Sequence, residues 1–106
     1  MRAVVIVEGK KDRERILPLL REDIDVLCTF GIPTHQRVME IHARVQNDEL
    51  FVFTDSDDVG KRIRGMLAEE FPEAIHLHTK REYDGVEHTP PEFLFQLFEK
   101  HEIAKT

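Results

Sequence analysis

A single cysteine, Cys28, stands in 106 residues, so an internal disulfide is excluded and a reducing compartment fits. Its apolar neighbour marks it as a small core residue rather than a nucleophile. No apolar run approaches the roughly 18 residues of a membrane span, and no secretory leader pattern opens the chain. A cytoplasmic protein with no membrane partner is therefore expected. Internal repeats, linkers and low-complexity tails are also missing, so one domain, residues 1–106, is expected to account for the sequence. Basic charge is in deficit. With 15 Lys and Arg against 21 Asp and Glu, the net charge is −6, which argues against a non-specific nucleic-acid coat. A local basic groove stays open, because the cations collect after Gly9 and after Gly60, each time beyond an acid-bearing segment. Acid beside base at short range suits a metal-and-phosphate site better than bulk capture of a polyanion.

What is present alternates. Ala3 to Val7 is a continuous β-branched run, the pattern of a strand buried on both faces of a parallel sheet. Lys10 to Leu17 reads as a charged helix that Pro18 stops. Ile24 to Thr29 reads as a weaker strand. Thr34 caps a helix to about Gln46, with Val38, Ile41 and Val45 on one stripe and Met39 and Ala43 beside it. Leu50 to Thr54 is a third strand, and Val59, Ile63, Met66 and Leu67 mark the amphipathic helix after it. Ala74 to His78 is a short fourth strand. A polar loop from Lys80 to His88 leads to a last helix, with Thr89 expected as N-cap, Glu92 at the capping-box position, and Phe93, Leu94, Leu97 and Phe98 covering the sheet. The order predicts an α/β domain with a mainly parallel four-stranded sheet and helices on both faces.

Ligands of such sheets bind beyond the carboxyl ends of the strands, and the acids fall there. Glu8 follows the first strand; Asp55, Asp57 and Asp58 follow the third. Like charges about 4 Å apart repel by about 4 kcal/mol at an effective dielectric near 20. Water or a divalent cation must relieve that. A hard cation such as Mg²⁺, or Mn²⁺ in its place, takes carboxylate oxygens, and Asp55-x-Asp57 supplies a pair that Glu8 completes if the two strands are neighbours. Gly9 and Gly60 sit at strand-to-helix turns where a phosphate could approach the backbone. Lys10, Lys61 and Arg64 are placed to meet its oxygens. Asp57 and Asp58 could instead cap the helix that follows, a reading preferred for Asp58 but not for Asp55, which lies ahead of any cap. His76-x-His78 shares a strand face without further ligands for zinc, and Tyr83 reads as a loop aromatic.

These residues resemble the Toprim domain, shared by topoisomerases, bacterial primases, old-family nucleases and recombination-repair proteins. Val4-Val5-Ile6-Val7-Glu8-Gly9 is similar to its first strand, and Asp55-Ser56-Asp57-Asp58-Val59-Gly60 to its Asp-x-Asp strand end. Within that family the chain looks most like the Toprim part of the ribonuclease that matures 5S ribosomal RNA. Glu8-Gly9-Lys10-Lys11-Asp12, Thr54 through Arg64, and Gly85-Val86-Glu87-His88 carry that likeness. The resemblance implies a bare Toprim domain of three-layer, Rossmann-like architecture. It also implies Glu8 as general acid/base, Asp55 and Asp57 as Mg²⁺ ligands, and RNA or DNA as the partner. Glu87 and His88 become candidates for a site loop. Expected functions are thus Mg²⁺-dependent nuclease or nucleotidyl-transfer chemistry, or alternatively a non-catalytic module binding nucleic acid or a protein. A haloacid-dehalogenase-like phosphatase is a further alternative, because Asp55-Ser56-Asp57-Asp58-Val59 also fits the nucleophile loop of that family.

Overall fold

The computed structural model describes residues 2–46 and 48–106. The strands are β1 (Ala3–Val7), β2 (Ile24–Cys28), β3 (Glu49–Val52) and β4 (Ile75–His76); the helices are α1 (Lys10–Ile16), α2 (His35–Val45), α3 (Asp58–Glu70) and α4 (Pro91–Lys100). The sheet runs β2-β1-β3-β4 and every pair is parallel. Central β1 is buried along its whole length, as its unbroken apolar run requires.

Alternate side chains of β1 divide the core. Val5 and Val7 pack with Ile16, Leu94 and Phe98, so α1 and α4 cover one face. Val4 and Ile6 pack with Ile41, Val45, Ile63 and Leu67, so α2 and α3 cover the other. The result is the three-layer α/β architecture expected. Pro18 opens a 3-10 turn, Leu17–Leu19, directly after α1, and Thr34 accepts from the Arg37 amide as the α2 cap. Cys28 is buried and unpaired.

Several details depart from expectation. β4 is two residues long; it is an edge strand, and its Ile75 is partly exposed. The buried face of α3 is Gly60, Ile63, Arg64 and Leu67, whereas Val59 faces out. Thr89 does not cap α4. Pro90 holds that position, and the buried Thr89 hydroxyl donates to the Gly85 carbonyl at 2.6 Å, tying the preceding loop together.

Gly65 lies exposed in mid-α3 with nothing within 4 Å of where a β carbon would stand. Gly65→Ala is expected to stabilise the fold by roughly 0.5–1 kcal/mol, since alanine loses less backbone entropy in a helix. A raised urea midpoint would register it; a lowered one would contradict the open geometry.

Candidate active site

Because β1 and β3 are adjacent, Glu8 and Asp55 leave neighbouring strands at the same sheet end. The Phe53 amide still donates to the Ile6 carbonyl at 2.8 Å, which continues the ladder two residues before Asp55. Asp55 Oδ1 then accepts from the Val86 amide at 2.8 Å. This bond draws the loop of Gly85-Val86-Glu87-His88 over the strand end. Gly85 has φ +102°, and a β carbon there would lie 3.0 Å from Asp55 Oδ1, so both its conformation and its closeness demand glycine. Within the loop, His88 Nδ1 lies 3.1 Å from the Asp84 carbonyl, a loop-ordering contact, and Tyr83 packs on Phe93 with ring centres 5.5 Å apart.

The helix cap is Asp57, whose Oδ1 accepts from the Gly60 amide at 2.7 Å. Asp58 is the first helical residue and makes no such bond, which corrects the expectation that Asp58 does the capping. Capping does not disqualify Asp57 as a ligand. It occupies one oxygen, as the Val86 amide does on Asp55, and leaves the other without a hydrogen bond among the described residues. Asp12 enters from α1, accepting from the Gly9 amide at 3.2 Å. Since Gly9 has no side chain, this is half of a capping box.

The charges converge. The Glu8 carboxyl is pushed above its ordinary range, first by burial and then by Asp57, Asp55 and Asp12. Asp12 is raised too, chiefly by burial, with Asp55 and Glu87 adding to it against the Gly9 hydrogen bond. Hence Glu87 does stand near the cluster. An acid whose pKa is raised on folding stabilises the native state only while protonated. Glu8's own contribution to the stability of the metal-free protein should therefore fall as pH rises from its unfolded value of 4.5 through the raised native one, while His76 and His78, lowered by burial, act in the opposite direction. Between about pH 4 and about pH 7 the urea midpoint of Glu8→Gln should gain on that of the wild type. Parallel curves would mean that Glu8 is not strained by its neighbours.

Two expected phosphate contacts are corrected. Arg64 is buried, and its guanidinium donates to the carbonyls of Thr54 (2.7 Å), Leu77 and Val52 (3.4 Å), with His76 Nδ1 at 3.2 Å. It clamps the ends of β3 and β4 and is not free to fork a phosphate. Burial pushes the Arg64 guanidinium below its ordinary pKa, with the Asp55 charge opposing the shift. Gly60 is buried as well, and a β carbon on it would come within 2.0 Å of the Asp55 carbonyl oxygen. Its glycine therefore lets α3 press on the strand end, not a phosphate approach it. Gly9, by contrast, faces open space.

Exposed cations flank the acids on both sides. Lys61 lines a cleft of about 250 Å³ with Asp55, Ser56, Asp57, Lys80 and Arg81. Lys10 lies on the opposite, β2 side, apart from the aspartate pair. Lys80 and Arg81 were not singled out in the sequence; only their place in a polar loop after the fourth strand hinted at them.

Among the described residues, no three Asp, Glu, His or Cys side chains are drawn together as a metal-holding set. The donor chemistry nevertheless fits a hard cation: Asp55 and Asp57 each offer a free carboxylate oxygen, and burial, then the neighbouring carboxylates, disfavours the charge on Glu8.

A parallel sheet of order β2-β1-β3-β4, with Glu8-Gly9 ending one central strand and Asp55-x-Asp57 the next, defines the chain as a Toprim domain. In particular, it is similar to a small TOPRIM domain protein from Bacillus stearothermophilus of solved structure. The TM-score is 0.88 at 28% identity, over 97% of this chain and 87% of that one. The uncharacterised protein YusF of Bacillus subtilis is 37% identical over 87 residues, 82% of this chain and 60% of YusF. Ribonuclease M5 of Lactiplantibacillus plantarum is 31% identical over 101 residues, 86% of this chain and 53% of the enzyme. The Bacillus anthracis Ribonuclease M5 is 28% identical over 93% of this chain and 57% of its own length. The chain thus spans little more than half of these curated relatives. No protein-family model matches it. Fold and relatives favour the Toprim reading over the phosphatase one. No helix among the described residues is long and apolar enough to cross a membrane.

Proposed function

We propose that the chain is a Toprim module for Mg²⁺-dependent phosphodiester chemistry on nucleic acid, of nuclease or nucleotidyl-transfer type. The observation that supports this best is the meeting of Glu8 with Asp55 and Asp57 at the ends of the adjoining strands β1 and β3, where burial, then Asp57 and Asp55, raise the Glu8 carboxyl. The likeness to Ribonuclease M5 points the same way. Asp55 and Asp57, with Glu8, would hold the cation, which when bound supplies Lewis-acid neutralisation of phosphate oxygens. Glu8 moves the proton, its raised pKa bringing it nearer the working range of a general acid/base. Lys61 steadies the phosphate from the rim, and Lys10 meets the backbone on the far side of the acids. The Asp55–Val86 hydrogen bond fixes the loop that closes the site.

Incubating purified protein with labelled RNA and DNA, with Mg²⁺ or Mn²⁺, tests the reading. Cation-dependent cleavage, nicking or strand joining supports it. The lack, among the described residues, of an assembled three-ligand set favours one alternative, a module that binds nucleic acid or a protein without turnover. Tight binding with no product on any substrate would select it.

A further inference from the structure

We propose that Phe30, with Lys10 and Arg37, forms a stacking platform for an unpaired nucleotide on the β2 side of the acid cluster, so that the module takes single-stranded nucleic acid. This deepens the nucleic-acid function proposed above and rests on it.

Phe30 is 62% exposed, more than any other large hydrophobic side chain described. Its φ is +58°, a left-handed backbone unfavourable for a bulky residue, which the surroundings must impose. They do: the Phe30 amide donates to the Glu8 carbonyl at 2.7 Å and the Thr29 amide to the Val7 carbonyl at 2.9 Å. The ring is therefore tied to the backbone of the proposed catalytic residue. Arg37 sits with its guanidinium carbon 5.2 Å from the ring centre, within cation–π range. Its own hydrogen bonds to the Cys28 carbonyl, at 2.9 and 2.6 Å, hold it in place.

The ground beside the ring is a groove of about 450 Å³ that Lys10, Arg13 and Arg37 line with Glu14; Arg37 also pairs with Glu40 at 3.2 Å, which leaves Lys10 and Arg13 as the cations open to a phosphate. On a chain of net charge −6, this local excess of cations fits a polyanion. Strand addition by a protein partner fits poorly, although β2 is an edge strand. Its outward carbonyls at Val26 and Cys28 already accept from Arg13 at 3.3 Å and from Arg37, and an augmenting strand would need both. An exposed aromatic with cations tracking beside it is what single strands use: a base stacks on the ring while the phosphates meet the cations. A duplex offers no free base face.

The chain contains no tryptophan, so Phe30→Trp places one reporter on the platform. In metal-free buffer, oligo-dT and oligo-U should quench its emission while an equal length of duplex does not, and the two single-strand arms report the sugar preference. By anisotropy, Phe30→Ala should weaken single-strand binding roughly 5- to 150-fold with its far-UV spectrum unchanged. Lys10→Gln should lower the salt slope by about 0.7. Wild-type binding that Phe30→Ala leaves intact, or duplex bound as tightly as single strand, overturns the platform and spares the proposed function. A wild type that binds no nucleic acid overturns both. If Phe30→Ala instead converts a dimer to a monomer without loss of binding, the ring contacts a second copy and the proposal fails.

Discussion

Glu8→Gln is expected to lower Mg²⁺-dependent cleavage roughly 10²–10⁴-fold, the usual worth of a positioned general acid/base. Glutamine keeps the size of the side chain and removes only its proton chemistry and charge. The far-UV spectrum should not change, because the structural bonds of this segment are made by the backbone, with the Glu8 carbonyl accepting from the Phe30 amide. The wild-type pH–rate profile should contain a limb set by Glu8; burial, then Asp57, Asp55 and Asp12, raise that group in the metal-free protein, and a bound cation opposes the carboxylates' share. That limb should vanish in the variant. Asp55→Asn separates the other role of the cluster: asparagine can still accept from the Val86 amide but is a poor ligand for a hard cation. Single-turnover assays of all three proteins decide the matter. A Glu8→Gln enzyme that retains the wild-type rate and limb would remove Glu8 from the chemistry.

The sequence and the structure agree where one-dimensional pattern encodes the answer. An unbroken β-branched run at Ala3–Val7 can only be satisfied between two covering layers, and all five residues are buried. Acids placed just after two such strands fall at one sheet end because parallel strands share a direction, so Glu8 and Asp55 were legible. Residues that act through close tertiary approach were not. Arg64 looks like a surface cation, and the stripe read from Val59, Ile63, Met66 and Leu67 leaves it outside. The stripe that is buried, Gly60, Ile63, Arg64 and Leu67, has the same helical period with Arg64 inside it, so the signal was present but masked by charge. What the arginine reaches, the Thr54 and Leu77 carbonyls and the Val52 carbonyl that also accepts from the Leu77 amide, depends on strand lengths that local pattern defines poorly. Phe30 escaped because the Phe30-Gly31-Ile32-Pro33 segment reads only as the close of a strand, and neither its left-handed backbone nor its exposure has a signal in the sequence.

Gly60→Ala is expected to be the most destabilising of the chain's glycine-to-alanine changes. An added β carbon would lie 2.0 Å from the Asp55 carbonyl oxygen, 2.7 Å from its carbon and 3.0 Å from Asp57 Oδ1. The first two are backbone atoms at the end of a buried strand and cannot swing aside, so α3 must retreat. Retreat strips the Asp57 cap from the Gly60 amide and pulls the Thr54 hydroxyl from the Gly60 carbonyl, 3.2 Å away. It also lifts Arg64 from the carbonyls it clamps, leaving buried acceptors unpaired. Overpacking alone costs about 1–3 kcal/mol, and each stranded buried acceptor adds about 1–3 kcal/mol. A loss of at least about 3 kcal/mol is therefore expected, against a total stability of roughly 5–15 kcal/mol for a domain of this kind. Urea denaturation of Gly60→Ala beside Gly65→Ala tests it, because both place the same methyl on the same helix with opposite expected signs. Equal midpoints for the two would mean that α3 does not press on the strand end. The position of Asp55 would then need another explanation. If Gly60→Ala does unfold so readily, the glycine after the Asp-x-Asp pair serves to seat the helix that aims the carboxylates, and its contribution to catalysis is indirect.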